Sequence, residues 1–257
     1  MRISIITPSY NQGEFIEDTI KSVINQDHKD IEHIIMDGGS TDQTVSILKK
    51  YDHLKWVSER DSGQSNAINM GFRKVSGNII AWLNSDDYYE DHIFGDIVKY
   101  FEQNPECMLL YGDITFVNKE GHSLYKVSGD TIDYGKLIEC PDIVRQPSFF
   151  WRREVIEIIG GVDEDLHLVM DFDFFLRIAR RYKFHYINRN LSYYRTYEVN
   201  KTSALPRRQV YEIYKVFRKQ HIPMTIPRAN YLIRKYFNSI GAVKGLAAII
   251  RHLRKRG

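Results

Sequence analysis

The sequence predicts an α/β fold: a mixed, mostly parallel sheet flanked by helices, followed by a helical C-terminal extension. Three observations lead there. Short apolar runs alternate with amphipathic stretches through the first hundred residues, the β-α-β-α order that builds parallel sheets. Polar, hydroxyl- and carboxylate-bearing loops follow successive apolar runs, where open α/β sheets bind ligands. The 257 residues, 43% hydrophobic and 27% charged, suffice for one large α/β domain or a domain plus an appendage.

The elements follow in order. Ile3–Thr7 reads as a first strand. Phe15–Asn25 places Phe15, Ile16, Ile20, Val23 and Ile24 at helical spacing. Glu32–Asp37 is a buried strand, and Asp42 can cap the helix Gln43–Lys50. Leu54–Ser58 is a third strand and Ser65–Lys74 a third helix. Asn78–Leu83 is a fourth strand, Ile93–Phe101 a helix and Met108–Tyr111 a fifth strand. Ile114–Val117 and Ser123–Lys126, around Asn118-Lys119-Glu120-Gly121, predict a hairpin. Then come strand Ser148–Trp151, helices Glu154–Ile159 and Phe172–Arg181, and late strands Lys183–Ile187 and Leu191–Tyr197. From Arg207 the chain reads as helices broken at Pro223 and Pro227, so residues 1–205 are expected to form the main domain and 206–257 a basic extension.

Composition narrows the function classes. Two cysteines, Cys107 and Cys140, and nine scattered histidines argue against a disulfide scaffold or a zinc site. No apolar run approaches the ~18 residues of a membrane span, and the N-terminal apolar run is too short for a signal peptide. The sequons at Asn190 and Asn200 therefore carry little weight. The net charge of +3 hides an asymmetry: residues 1–212 hold 25 basic and 33 acidic groups, whereas beyond Glu212 lie eleven Lys and Arg and no carboxylate. Val243, Leu246, Ala247, Ile250 and Leu253 share one helical face, with Lys244, Arg251, Arg254 and Lys255 mainly off it. That pattern suits an anionic membrane surface; packing on the chain's own domain or in a homodimer is the equal alternative. The expectation is a cytoplasmic chain, peripheral on the inner face of the cell membrane. Nucleic acid is not expected, because the basic residues lack a recognition motif.

Four loops carry the chemistry. Thr7-Pro8-Ser9-Tyr10-Asn11-Gln12-Gly13 follows the first strand, and Tyr10 can stack on a nucleobase. This loop lacks G-x-G-x-x-G, which argues against a dinucleotide enzyme. Asp37-Gly38-Gly39-Ser40-Thr41-Asp42 ends the second strand with a carboxylate able to accept a pyrimidine N–H. Glu59-Arg60-Asp61-Ser62-Gly63-Gln64-Ser65-Asn66 is dense in donors and acceptors, which suits a nucleotide diphosphate. Leu83-Asn84-Ser85-Asp86-Asp87 closes the fourth strand with adjacent carboxylates that repel each other unless a cation sits beside them. Each loop alone could be a turn or helix cap; four at successive strand ends point to one site.

In order and spacing these four motifs resemble the family 2 glycosyltransferases, over roughly residues 1–205. The resemblance implies the Rossmann-like glycosyltransferase A-type fold, a nucleotide-sugar donor with UDP first in line, and transfer with inversion to a glycan or lipid-linked acceptor in cell-surface polysaccharide synthesis. It implies donor binding by Thr7, Pro8, Ser9, Tyr10, Asp37, Ser40, Asp61, Gly63, Gln64, Asn66, Asn84, Ser85 and Asp86, with Asp86 near the ribose and sugar. Asp87 would ligate Mn²⁺ or Mg²⁺ on the diphosphate. In Met170-Asp171-Phe172-Asp173, Asp171 takes the place of the family's base, and Asp173 would orient or cap. Gln146, Trp151, Asp173 and Arg195 are expected on the acceptor side. Where many relatives carry a histidine after the late strand that helps hold metal or diphosphate, this chain has Thr196-Tyr197-Glu198. Tyr197 can hydrogen-bond phosphate but is a poor ligand for a hard cation, so the resemblance does not imply a third metal ligand from this segment.

Two other readings are weighed. A sugar nucleotidyltransferase needs a glycine-rich basic loop after the first strand, and Thr7–Gly13 has one glycine and no Lys or Arg. A non-catalytic membrane-associated partner could keep the fold, although retention of Asp37, Asp86, Asp87 and Asp171 together favours an enzyme.

Overall fold

In the computed structural model, the structure describes residues 1–129, 131–197 and 205–239. The basic face predicted at 243–255 lies outside the described residues.

Among the described residues, nine strands form one sheet. Strands β1 (Ile3–Ser9), β2 (Ile31–Asp37), β3 (Lys55–Ser58) and β4 (Ile79–Trp82) are mutually parallel in the order β3-β2-β1-β4. Beyond β4 the sheet continues through β8 (Phe149–Arg152), β6 (Leu109–Val117), β9 (Phe184–Arg195) and β5 (Tyr88–Tyr89), with β7 (Ser123–Val127) paired to β6. Strands β5, β7 and β8 run against the other six. The sheet is thus mixed and mostly parallel, as expected.

Among the described residues the α-helices are α1 (Ile16–Ile24), α2 (Thr44–Leu48), α3 (Gln64–Phe72), α4 (Phe94–Gln103), α5 (Tyr134–Glu139), α6 (Glu154–Ile159), α7 (Met170–Ala179), α8 (Pro206–Lys219) and α9 (Ile226–Ser239). Helix α3 packs closely on β1 because residue 71 is glycine: a Cβ there would sit 2.4 Å from Ile6 Cγ2. The largest core cluster joins Ile6, Trp82, Trp151 and Phe174 to Ile213, Val216 and Phe217 of α8. The helices after residue 205 therefore share one core with the sheet.

Two pairs of predicted strands each merge into one. Met108–Tyr111 and Ile114–Val117 are one strand, β6, running through Gly112. Lys183–Ile187 and Leu191–Tyr197 are likewise one strand, β9, whose register against β6 shifts around Asp113. Gly112 accommodates that irregularity, since a Cβ there would meet Leu191 Cγ at 2.6 Å and the Arg189 carbonyl at 2.7 Å.

Candidate functional site

The parallel register sets the site. Ser9 pairs with Asp37 and Asp37 with Ser58, so β1, β2 and β3 end in a row on one side of the sheet. Their loops are tied together. The Asn11 amide donates to Ser40 Oγ at 2.7 Å, the Thr41 amide to Asn11 Oδ1 at 2.9 Å and the Gly13 amide to Asp42 Oδ2 at 2.9 Å. Asn11 adopts a left-handed backbone, φ 52°, which asparagine tolerates better than most residues.

A cavity of about 1100 Å³ opens where these loops meet the fourth strand end and the start of α7. Of the expected residues, Pro8, Ser9, Tyr10, Asp61, Gly63, Gln64, Asn84, Ser85, Asp86, Gln146 and Asp171 line it. Tyr10 is 61% exposed, a free aromatic face at the mouth. Ser9 Oγ is buried without a hydrogen-bond partner among the described residues, which suits a hydroxyl that meets a ligand.

Asn84 organises the middle of the cavity. Its Oδ1 accepts from Gln64 Nε2 at 2.9 Å and from Trp82 Nε1 at 2.8 Å. Its Nδ2 donates to Gln146 Oε1 at 3.2 Å and to Asp87 Oδ2 at 3.3 Å. Gln146 in turn donates to the Trp82 carbonyl.

The two adjacent carboxylates play different parts. Asp86 lines the cavity, and Tyr197 donates its hydroxyl to Asp86 Oδ2 at 2.9 Å. Asp87 is 1% exposed and does not line it. Instead Asp87 Oδ1 accepts the Arg195 amide at 2.9 Å, and its carbonyl accepts Thr19 Oγ1 at 2.7 Å. Asp87, the expected metal ligand, thus braces the end of β4 to β9 and α1, and the carboxylate at the cavity wall is its neighbour Asp86. Burial pushes both carboxyls up, and for Asp87 the charge of Asp86 adds to the rise. A cation beside Asp86 would relieve that repulsion. Among the described residues no group of three or more His, Cys, Asp or Glu could cage an ion. One cavity carboxylate does fit a Mg²⁺- or Mn²⁺-like ion that arrives with phosphates, since such ions use one or two carboxylates plus substrate oxygens.

Several other expected residues stand behind the wall. Thr7 is fully buried, with Oγ1 3.0 Å from His33 Nε2. Burial pushes the His33 ring down to about 3, so it is neutral at pH 7. Asp37, 2% exposed, accepts from the Ser40 amide (2.9 Å), Ser40 Oγ (2.5 Å) and Ser58 Oγ (2.6 Å); with Ser40 it knots the loops. Asn66 donates to Glu164 Oε2 at 3.0 Å, away from the cavity.

Three residues expected on the acceptor side are buried. Trp151 is 0% exposed and packs against Phe72, Phe174 and Phe175. Its position in the central strand β8 buries it, so it belongs to the core. Asp173 is 1% exposed, paired with Arg177 at 2.8 Å and accepting from Gln220 Nε2 at 2.9 Å. Two residues along a helix from Asp171, its side chain points to a different face. Arg195, 4% exposed, pairs with Asp18 at 2.9 Å and lies 4.7 Å from the Phe15 ring centroid.

Residues not singled out in the sequence complete the cavity: Gln12 and Arg60 beside the first three loops, and Phe116, Arg145, Tyr194 and Gln209 from the later elements. Gln12 and Arg60 stand within already quoted motifs. The others come from elements far apart in sequence, and no local signal marks them.

Residues 4–159 match the model of Glycosyl transferase family 2. The putative teichuronic acid biosynthesis glycosyltransferase TuaG of Bacillus subtilis is 40% identical over 146 residues, 54% of this chain and 53% of that protein. An uncharacterised glycosyltransferase of Mycobacterium tuberculosis is 30% identical over 182 residues, covering 69% of this chain and 68% of the relative. For uncharacterised glycosyltransferases of Rickettsia prowazekii and Nostoc the matched region spans 58% and 66% of their length. Among solved structures, S. aureus TarS 1–349 in complex with UDP-GlcNAc superposes with a TM-score of 0.70 at 18% identity, over 94% of this chain and 73% of that one. The mannosyltransferase PcManGT of Pyrobaculum calidifontis, in complex with GDP-Man and Mn²⁺, gives 0.64 at 19% identity over 100% and 76%. The structural likeness carries the fold; the sequence match over more than half of the chain settles its kinship, and the chain belongs to glycosyl transferase family 2.

Proposed function

We propose that this chain transfers a sugar, with inversion, from a nucleoside diphosphate sugar to an acceptor hydroxyl. The observation that carries the reading is the convergence of four strand-end loops and Asp171 on one cavity. Its size accommodates a nucleotide sugar and part of an acceptor. Ser9, Tyr10, Asp61 and Gln64 bind the donor, and Asp86 holds a divalent cation, a role moved one residue from Asp87. That cation, Mn²⁺ or Mg²⁺, supplies Lewis-acid neutralisation of the leaving diphosphate when bound. Asp171 accepts the acceptor's hydroxyl proton as the oxygen attacks the anomeric carbon and the bond to phosphate breaks. One base and a single displacement invert the configuration. Gln146, fixed by Asn84 and the Trp82 carbonyl, orients the sugar or acceptor.

The named relatives support a nucleotide-sugar donor and a role in cell-surface polysaccharide synthesis. The test is a melting-temperature screen of UDP-, GDP- and dTDP-sugars with and without Mn²⁺, since a ligand of the folded state raises the midpoint. At least one nucleotide sugar should raise it, more so with Mn²⁺ in wild type than in Asp86→Asn. A flat screen sinks the reading and leaves the non-catalytic alternative standing.

We also propose that the C-terminal helices meet an anionic membrane, where a lipid-linked acceptor would lie. Among the described residues no helix is long and apolar enough to cross a membrane. On α9, however, Ile226 (79%), Ile233 (51%) and Phe237 (45%) are exposed, in a region without carboxylates after Glu212. Flotation with phosphatidylglycerol vesicles should be lost on truncation before Pro227. Equal flotation of both forms rejects the idea, and a concentration-dependent dimer by light scattering would reassign the face to a homodimer.

A further inference from the structure

Glu212 lies on α8, outside the matched family region, and its carboxylate is 3% exposed. Burying a carboxylate costs several kcal/mol unless it is bonded, so its partners reveal what it does. Oε2 accepts the backbone amides of His167 at 3.0 Å and Leu168 at 2.8 Å. Oε1 accepts from Arg208 Nε at 2.8 Å. These amides belong to the segment that enters α7, and residues 167–172 line the cavity, Asp171 among them.

The segment is held from its other side by α3. Ser65 Oγ donates to the Leu166 carbonyl at 2.7 Å, and Asn69 Nδ2 donates to the Val162 carbonyl at 2.9 Å and to Glu164 Oε1 at 2.8 Å. α3 begins at the donor loop, with Gly63 and Gln64 at the cavity wall. The segment thus bridges the donor side to α8, which lines the cavity with Gln209 and Ile213. One carboxylate fixing two consecutive amides, four and three residues before Asp171, sets the backbone from which that side chain projects.

We propose that Glu212 is a positioning residue: through the His167 and Leu168 amides it holds Asp171 in register with the cavity. The inference rests on the reading of Asp171 as the base. It predicts a defect in turnover rather than in donor binding, because the donor contacts come from the loops after β1–β4. A displacement of about an ångström at a reacting group costs roughly 10- to 100-fold in rate.

The test uses the full-length protein, with release of nucleoside diphosphate from the nucleotide sugar selected by the melting screen, water serving as acceptor. Glu212→Ala should lower kcat about 10- to 100-fold, leave the donor KM within about twofold, and speed hydrogen exchange at His167 and Leu168. Glu212→Gln keeps an acceptor oxygen for both amides and should recover most of the turnover. It also keeps the test open should the alanine variant fold poorly. Arg208→Ala should stay close to wild type. In an Asp171→Asn background, Glu212→Ala should bring no further loss, because both act through one group. Wild-type kcat in Glu212→Ala, or a raised KM with kcat intact, overturns the proposal while Asp171 keeps its role. Wild-type turnover by Asp171→Asn removes the base reading and this inference with it.

Discussion

Glu32 gives the most quantitative prediction. It is 5% exposed on β2 and binds its neighbours on every side. Ser4 Oγ on β1 donates to it at 2.5 Å, Lys55 Nζ on β3 at 2.6 Å, and the Ser76 amide and hydroxyl at 2.8 and 3.0 Å. It therefore ties together the starts of the three strands whose other ends carry the first three cavity loops. Burial alone pushes the Glu32 carboxyl up, but the hydrogen bonds from Lys55, Ser4 and Ser76 outweigh it and leave it lowered to about 2 from 4.5. A depressed carboxyl stabilises the fold above its unfolded value, and that stability is lost as pH falls from 4.5 towards 2. At ~1.4 kcal/mol per unit, the shift corresponds to about 3 kcal/mol at pH 7, of which about 2 kcal/mol is gone by pH 3. The perturbation is Glu32→Gln, which does not titrate. Urea unfolding of both proteins from pH 7 to pH 3 isolates the effect, because His33 and every other shared group cancel in the difference. The wild-type advantage should shrink by about 2 kcal/mol across that range. An advantage that stays constant with pH would mean that Glu32 is not ionised through these bonds.

Other outcomes follow from single contacts. His33, buried and pushed down to about 3, stays neutral in the fold while the unfolded chain takes up a proton. Wild-type stability should therefore fall as pH drops from 6.5 towards 3, and a variant with His33→Gln should show a shallower fall in the same urea series. Gly71→Ala forces a methyl to within 2.4 Å of the fully buried Ile6; melting should report a loss of about 1–3 kcal/mol. Tyr197→Phe removes the 2.9 Å hydrogen bond to Asp86. Donor titration with Mn²⁺ should show a few-fold change in affinity, corresponding to about 1 kcal/mol, and no change would mean that Asp86 is held without it.

Much of the cavity wall built by the strand-end loops is legible in the sequence because it is local. Parallel strands all end on one side, so apolar runs closed by polar loops place Ser9, Tyr10, Asp61 and Asn84 together without further information. What local pattern leaves open is which way a side chain faces where a strand gives way to a turn. Asp86 and Asp87 are adjacent and chemically identical; the Arg195 amide and Asn84 Nδ2 hold Asp87 inward, while Tyr197 holds Asp86 at the cavity wall. Gly112 reads as a break between two short strands, yet its missing side chain lets β9 pass close to β6. β5 has only two residues, Tyr88 and Tyr89, too few for an alternation to show. Trp151 fits an acceptor site by residue type and a core by position, and the strand buries it. The rest of the cavity is assembled from β6, α7, α8 and the 141–146 segment, whose juxtaposition is a property of the whole fold.

The central claim is that Asp171 serves this cavity as the acceptor-side base. It is tested most directly by measuring nucleotide-sugar affinity and turnover together in Asp171→Asn. Donor affinity should match wild type while turnover falls by about 10²- to 10⁴-fold, the range of a lost general base. Turnover at the wild-type rate, or a loss confined to donor affinity, would contradict it.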